Sequence, residues 1–235
     1  MAIVDLRGNA VEPAAAADRR APPPAPHAPL SALREQIRPA IASVLVLTVL
    51  TGCGFPLLLF AMARPLFPHQ AGGSLLRREG AVVGSALAGQ VFTRPEYFQC
   101  RPSAAGAGYD GTASGGTNLG PNNPKLTAGA ADFAGIRQLA AEYRRRNGLA
   151  PGAAVPIDAV TRSGSGLDPH ISPDNAALQI PRVARARGLS EQALRRLVAL
   201  HTEGPQFGFL GYARVPVLEL NLALDEGAGR AVPAR

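Results

Sequence analysis

Residues 40–63 read AIASVLVLTVLTGCGFPLLLFAMA and decide how the rest of the chain is organised. These 24 residues contain no charged side chain, and Arg38 and Arg64 stand at the two ends. As an α-helix they would rise about 36 Å, which exceeds the hydrocarbon core of a bilayer at about 30 Å. Gly52 and Pro56 would weaken a helix in water, but a membrane-spanning helix tolerates such residues. The run therefore predicts a single transmembrane helix.

Two processing signals overlap this run. Residues 61–63 (AMA) fit a signal-peptidase site, yet signal peptides have apolar cores of about 7–15 residues. Residues 50–53 (LTGC) resemble a bacterial lipoprotein box with Cys53 as the lipid-bearing residue, although the sequence stays apolar after it. An uncleaved anchor is the favoured interpretation. For the function of the chain, the alternative that these signals leave open is a membrane-tethered or lipidated periplasmic binding module.

The chain is basic. Its net charge is +7, and residues 64–235 carry +6 of it through 19 basic and 13 acidic side chains. A basic domain held beside a bilayer suits anionic headgroups, so the lipid bilayer is an expected partner. Aromatic residues make up only 5% of the chain, Trp is absent and no recognition motif is present, which argues against nucleic acid. Near the anchor three arginines precede it and three follow it, so charge does not fix its orientation.

Composition divides the chain into three parts. Residues 1–36 are rich in Ala and Pro without hydrophobic periodicity, which is typical of a disordered tail. Residues 37–64 contain the transmembrane helix. Residues 65–235 are long enough for one domain of ordinary size. Cys53 lies in the anchor and Cys100 in the domain, so their positions do not predict a disulfide.

The clearest helix signal in the domain covers residues 132–147. Apolar side chains recur there at three- and four-residue spacing, and three arginines stand at the C-terminal end, where the helix dipole favours them. Asp132 is the expected N-cap and Gly148 the expected C-cap.

Two more helices are predicted further along the chain. Ser172, which precedes a proline, marks the start of the first. We expect Pro181 to interrupt this helix and Gly188 to end it. Ser190 is the expected N-cap of the second, which continues to about His201.

Strand signals are weaker. Residues 71–93 alternate small and apolar side chains around glycines and predict short strands and turns. Residues 155–160, 207–212 and 215–222 are further strand candidates, and Pro216 suggests an edge position or a bulge in the last. Helices and strands together predict an α+β domain that follows a single N-terminal transmembrane helix.

A glycine-rich segment, residues 106–124, contains six glycines and cannot form a long regular element. Backbone N–H groups of such loops can cradle phosphate. However, the phosphate-loop pattern GxxxxGK[ST] is absent, and GxGxxG occurs in no strand–helix context. The segment is read as a long, tightly folded surface loop whose length leaves a functional role open.

No catalytic constellation stands out. Ser163, Ser165, Asp168 and His170 have the residue types of a hydrolytic triad, but triads are assembled from distant segments and these lie within eight residues. No GxSxG nucleophile elbow is present. A metal site would need residues such as Asp168, His170, His201 and Glu203. The favoured interpretation is that Asp168 and His170 cap the turn before a helix, with no catalytic residues and no metal.

A series of longer motifs carries a family resemblance. They occur in this order: LFP at 66–68, GSL at 73–75, YF at 97–98, RPSA at 101–104, ASGG at 113–116, NLGP at 118–121, NPKL at 123–126, SGSGLDPHIS at 163–172, PRVA at 181–184, HTE at 201–203 and LELN at 218–221. The set resembles the KdpC family, the C subunit of the bacterial high-affinity potassium-transporting Kdp ATPase. It extends from the anchor to Asp225.

The resemblance implies a non-catalytic accessory subunit in the bacterial inner membrane, with one transmembrane helix and a periplasmic C-terminal domain. Its partners would be a channel-like potassium-translocating subunit and a P-type ATPase subunit, which handle potassium and ATP, so no cofactor is expected on this chain. The family is associated with assembly of the complex and with raising the ATP affinity of the ATPase subunit. Because a periplasmic domain cannot touch cytoplasmic ATP, such an effect would be coupling transmitted through the complex.

Several residues in the motif loops are candidate site residues. Ser114, Gly115 and Gly116, which resemble the ABC-transporter signature, are the nucleotide-related candidates. The candidates for contact with a partner or for ion entry are Asp110, Asn118, Asn123, Lys125, Asp158, Ser165, Asp168, His170 and Asp174. Since the net field of the domain repels cations, any role in potassium entry would require a local acidic cluster, and Asp110, Asp158, Asp168 and Asp174 are the hypothesis.

Overall fold

The structure, a computed structural model, describes residues 30–228, with side chains described for 33–227. Residues 1–29 of the predicted disordered tail lie outside the described part, whereas its last residues, 30–36, belong to a helix. The chain divides between Ala61 and Met62 into two compact units. The described part of the first unit, residues 30–61, is helical, and the second unit contains the folded domain.

The apolar run forms a helix throughout. It consists of α1 (Leu30–Leu47), a π-helical stretch (Thr48–Gly54) and α2 (Phe55–Leu66). Wider π-helical turns lie directly before Pro56, whose missing N–H and bulky ring disturb the preceding turn. Within the described residues, Leu33–Leu66 is the one helix long and apolar enough to cross a membrane, and none of its most apolar window is buried. This agrees with the predicted single transmembrane helix.

The remaining elements make an α+β unit with very short strands. They follow in this order: α3 (Pro68–Ala71), β1 (Leu75–Arg78), β2 (Ala81–Ser85), α4 (Pro124–Ala128), α5 (Ile136–Asn147), a 3₁₀ turn (Ile157–Ala159), β3 (His170–Ile171), α6 (Pro173–Arg187), α7 (Glu191–Leu200), β4 (Val215–Pro216) and α8 (Val217–Ala228). β1 and β2 form an antiparallel hairpin. β3 and β4 pair antiparallel although 43 residues separate them.

The core lies where α6, α7 and α8 meet the β3–β4 pair. Ile180 and Val183 of α6, Leu194 of α7 and Leu220 of α8 are buried in one cluster. Phe98 is fully buried in the same cluster, although it lies in an irregular segment far away in the sequence. Burial of each such side chain contributes about 1.5–3 kcal/mol. The segment around Phe98 is therefore fixed to the helices by its side chain.

Local helix signals are confirmed. The Ser172 hydroxyl accepts from the N–H of Asn175, and the Ser190 hydroxyl accepts from the N–H of Ala193. Gly148 and Gly188 close their helices in the left-handed conformation that the missing Cβ makes favourable.

Two helix predictions are wrong in detail. α5 begins at Ile136 with Gly135 as N-cap, and the Gln138 side chain accepts from the Gly135 N–H. Asp132, the predicted cap, instead pairs with Lys125 at 3.1 Å. α6 also runs through Pro181 without interruption. An internal proline costs about 3 kcal/mol, which burial of neighbouring apolar side chains offsets.

Three strand predictions are also wrong. Residues 155–160 contain a 3₁₀ turn instead, in which the Val160 N–H bonds to the Ile157 carbonyl. Residues 207–212 form a tight turn, because Phe207, Gly208 and Gly211 have φ values of 53°, 82° and 86°, which lie outside the range of a regular strand.

The third wrong prediction concerns residues 215–222. Only Val215–Pro216 forms a strand, and α8 begins at the next residue. The alternation of apolar and polar residues suggested a strand. Val217, Leu220 and Leu224 are also spaced by three and four residues, however, and all three are buried. Since β3 offers only a two-residue partner, helical packing on the core decides the outcome.

Candidate functional site

Two side-chain amides hold the irregular backbone segment at Phe98 and Gln99. The Asn221 amide donates to the Phe98 carbonyl and accepts from the Phe98 N–H, both at 2.9 Å. The Gln179 amide does the same for Gln99, at 3.0 and 2.8 Å. Because Asn221 and Gln179 are buried, these bonds replace the partner strand that the segment lacks.

Arg182 anchors the residues just before this segment. Its guanidinium donates to the carbonyls of Pro95 and Tyr97, at 2.6 and 3.0 Å, and to the side chains of Asn147 and Gln179, at 2.9 and 2.7 Å. Burial lowers the pKa of Arg182 to about 10, so it remains charged at neutral pH. A buried cation with four oxygen partners is a structural clamp.

Two glycine-rich motifs, ASGG at 113–116 and SGSG at 163–166, pack backbone against backbone, and we call this contact the interlock. The Ser114 hydroxyl and the Gly115 N–H both donate to the Ser165 carbonyl at 2.9 Å. A Cβ on Gly116 would lie 2.8 Å from the Gly164 carbonyl oxygen, and one on Gly166 would lie 2.6 Å from that of Gly115. The glycines therefore permit an approach that no larger residue allows.

Ser103 and Tyr109 connect this interlock to the RPSA motif. The Ser103 hydroxyl donates to the Gly166 carbonyl at 2.7 Å and accepts from the Tyr109 N–H at 2.9 Å. The Tyr109 hydroxyl donates to the Arg101 carbonyl, and burial raises its pKa. Burial likewise raises the pKa of the neighbouring Cys100 thiol to about 11, so this cysteine is protonated and unreactive at neutral pH.

Arg101, Asp168 and His170 form a polar cluster. Arg101 pairs with Asp168 at 2.9 Å, and Asp168 also accepts from the His170 N–H at 3.0 Å, with the imidazole Nδ1 at 3.3 Å. Burial acts to raise the pKa of Asp168, but the hydrogen bonds from His170 and Arg101 outweigh it and hold the pKa below its ordinary value. Asp168 thus caps the turn before α6, as expected from the sequence.

Asp158 organises the start of α6 from the 3₁₀ turn. Its carboxylate accepts from the Ser172 N–H at 2.8 Å, the Ser172 hydroxyl at 2.9 Å and the Asn175 side chain at 2.9 Å. All three donors are neutral. Among the described residues Asp158 forms no ion pair.

Two cavities adjoin these clusters. One, of about 340 Å³, is lined by Asp158, Asp168, His170 and Ser172, together with Arg101, Ile171 and the 212–214 segment. The other, of about 360 Å³, also borders Arg101 and is lined by Cys100, Tyr109, Tyr143 and Arg146, among others. Of the four carboxylates in the ion-entry hypothesis, Asp158 and Asp168 line the first cavity and Asp110 and Asp174 do not.

The other predicted site residues are scattered over the surface. Asp110 binds Thr112 in a tight turn, and Asn118 has a left-handed backbone. The Asn123 side chain caps α4 by accepting from the backbone N–H of Lys125, and Asp174 lies in the first turn of α6. Within residues 30–228, no three His, Cys, Asp or Glu side chains come together in a way that could hold a metal ion.

Reasoning from sequence missed Gln179, Arg182 and Asn221 as organising residues. A signal was present, because each is polar and lies on the apolar, core-facing side of a helix. Such residues are buried only when their hydrogen bonds are satisfied. Their partners, at 95–99, could not be identified from spacing alone.

Comparison with known proteins gives the family. The model of the family described as "K+-transporting ATPase, c chain" matches residues 37–226. This chain belongs to the KdpC family. The match starts in the apolar helix and includes every motif loop described above. The interlock, and the hydrogen bonds from the Gln179 and Asn221 amides to residues 98–99, therefore lie within the family domain.

Curated KdpC subunits are similar over most of their length. The potassium-transporting ATPase KdpC subunit of Caulobacter vibrioides is 53% identical over 190 residues, 80% of this chain and 92% of the relative. The KdpC subunit of Sorangium cellulosum is 56% identical over 190 residues, 80% of this chain and 96% of the relative. That of Mycobacterium bovis is 50% identical over 193 residues, 82% of this chain and 99% of the relative.

The Arg101–Asp168 pair yields a pH-dependent prediction. We expect Asp168→Asn to lower the free energy of unfolding by about 1–3 kcal/mol at pH 7, because the neutral amide loses the charge-assisted bonds to Arg101 and His170. Since the folded-state pKa of Asp168 is depressed, its stabilisation is present above the unfolded value, near 3.9, and is lost as pH falls through the folded value. The difference in unfolding free energy between wild type and variant should therefore become smaller below pH 4.

Urea unfolding of the full chain in detergent at pH 7 and pH 3.5 measures this difference. The matched control is Asp174→Asn, which removes an exposed carboxylate from the first turn of α6. We expect the control to change the unfolding free energy by less than about 1 kcal/mol. An Asp168→Asn deficit that stays constant with pH would contradict the assignment.

Proposed function

We propose that this KdpC-family chain is a non-catalytic accessory subunit of an ATP-driven, high-affinity potassium uptake complex. Its partners are a channel-like potassium-translocating subunit and a P-type ATPase subunit, which carry transport and hydrolysis. The chain stabilises the assembly and raises the ATP affinity of the ATPase subunit. It lies in the bacterial inner membrane, anchored by its one apolar helix, with the C-terminal domain in the periplasm.

The interlock of the motif loops is the observation that supports this proposal. The donors of Ser114 and Gly115, which could have held a phosphate, are bound to the Ser165 carbonyl. Ser103, Gly116 and Gly166 likewise contact other loops of the same domain. The motifs thus hold the domain together and present no free phosphate cradle at Ser114 and Gly115, which fits a non-catalytic subunit. An effect on ATP affinity then arises through coupling across the complex.

Affinity purification tests the proposal. The host is grown in low potassium, its membranes are solubilised in mild detergent, and the tagged full chain is purified from them. We expect two large membrane subunits to co-purify with potassium-stimulated ATPase activity. Removing the chain should raise the KM for ATP of the remaining complex by about 5- to 150-fold, the usual range of coupling between sites. A chain that is purified alone from such membranes would favour the tethered binding module instead.

The acidic hypothesis for ion entry has its own test. Asp168 is paired with Arg101, whereas Asp158 accepts hydrogen bonds only from neutral donors. Of these two carboxylates of the cavity, the charge of Asp158 is the one that no arginine among the described residues neutralises. Joint replacement of Asp110, Asp158, Asp168 and Asp174 by asparagine should weaken the apparent potassium affinity of the complex. Unchanged affinity in low-potassium transport assays would exclude this role.

A further inference from the structure

One loop of the domain exposes aromatic side chains that nothing in the described structure covers. It comprises residues 206–212 (QFGFLGY), which we call the aromatic loop. Phe207, Phe209 and Tyr212 are 86%, 74% and 90% exposed, and Leu210 is 49% exposed. Clustered exposed rings of this kind mark interaction sites, unlike a single exposed apolar residue.

The loop is held in one conformation. Gln206 and Leu210 exchange two backbone hydrogen bonds at 2.9 Å. At the base of the loop, the backbones of Glu203 and Arg214 exchange two further hydrogen bonds, of 2.8 and 3.0 Å. Their side chains form an ion pair at 2.8 Å. Phe207 keeps a left-handed backbone, with φ at 53°, that is unfavourable for an aromatic residue. The rings are therefore presented on a rigid support, which reduces the entropy lost on binding.

Charged groups beside the loop indicate what it binds. Tyr212 and Arg214 line the 340 Å³ cavity together with Asp158 and Asp168. Arg214 is neutralised by Glu203 and Asp168 by Arg101, whereas Asp158 has no cationic partner among the described residues. The cavity therefore retains one carboxylate that a basic side chain from outside can pair with, next to an exposed phenol ring that also attracts cations.

These charges favour a protein over a lipid surface. Anionic headgroups attract free Lys and Arg side chains, but Arg214, the basic residue two positions after the aromatic loop, is already paired with Glu203. The carboxylates of Asp158 and Asp168 would be repelled by such a surface. An apolar protein cleft with a nearby basic residue, in contrast, matches both the rings and the cavity.

We infer that the aromatic loop docks into an apolar cleft of another subunit of the pump, and that an Arg or Lys beside that cleft enters the cavity and pairs with Asp158. This inference rests on the proposed function, since it requires a partner subunit. Phe207 and Phe209 fill the cleft, and Tyr212 covers the ion pair. Rigid aromatic anchors around a desolvated charge are the arrangement that carries most of the binding energy in protein interfaces.

The experiment compares full-length variants in the affinity purification described above. Phe207→Ser with Phe209→Ser should reduce the recovered pump subunits at least tenfold, and Asp158→Asn should reduce them to a smaller extent. Leu87→Ser is the matched control, because Leu87 is 67% exposed elsewhere in the domain, and it should recover the subunits like the wild type. Unfolding curves of each variant show whether the domain stays folded.

A benzophenone amino acid at position 209 identifies the occupant. Crosslinking to a pump subunit, at a peptide that contains Arg or Lys, supports the inference. Crosslinking to lipid alone, or full recovery of the subunits by the double serine variant, overturns it. If the wild type itself recovers no subunits, the proposed function fails and the inference fails with it, an outcome distinct from failure of the loop alone.

Discussion

Asn221→Leu should unfold the domain or leave it barely stable. The substitution removes both hydrogen bonds that the Asn221 amide makes to the backbone of Phe98, whose N–H and C=O then remain buried without partners. Each unsatisfied buried group costs about 1–3 kcal/mol, so we expect a loss of about 3–5 kcal/mol. A domain is typically stable by only about 5–15 kcal/mol.

The rate of thiol labelling at Cys100 reports this unfolding, because Cys100 lies two residues from Phe98 and is partly buried. A Cys53→Ser background leaves Cys100 as the single thiol. Gln192→Leu is the matched control, since it replaces an exposed amide on α7 with the same side chain. Equal labelling rates of Asn221→Leu and the control would show that the hydrogen bonds between Asn221 and Phe98 are not needed to keep the domain folded.

Gly166→Ala is the second substitution with a large expected effect. Gly166 has a φ of 69°, and an added Cβ would lie 2.6 Å from the Gly115 carbonyl oxygen and 2.7 Å from the Ala105 nitrogen. Left-handed backbone costs alanine about 1–2 kcal/mol, and the collision with two backbone atoms adds about 1–3 kcal/mol. We expect a total loss of about 3 kcal/mol and separation of the two glycine-rich loops.

Gly164→Ala provides the control, two residues away in the same loop. A Cβ at Gly164 meets nothing within 4 Å, and its backbone is not left-handed. Its unfolding free energy should stay within about 0.5 kcal/mol of wild type. Urea unfolding of both variants in detergent gives the comparison. If Gly166→Ala and Gly164→Ala had the same unfolding free energy, the close packing of the two motifs would not be essential to the stability of the domain.

Sequence reasoning succeeded where structure depends on neighbours along the chain. The apolar run at 40–63 predicted the long helix, because hydrophobicity over 24 residues needs no partner to be recognised. The helix ends at Ser172, Ser190 and Gly188 were predicted for the same reason, since a cap bonds to groups within one turn. The order of the motifs likewise identified the family before any fold was known.

Tertiary structure decided what depends on remote residues. Residues 217–222 are helical because Val217 and Leu220 pack onto the core, although their local alternation favours a strand. The roles of Asn221 and Gln179 depend on backbone groups more than 75 residues away, at Phe98 and Gln99. Likewise, the interlock of the glycine-rich motifs joins positions about 50 residues apart. Sequence alone determined the long apolar helix, the helix ends and the family, whereas long-range packing determined how the motif loops are held together and which aromatic residues remain exposed.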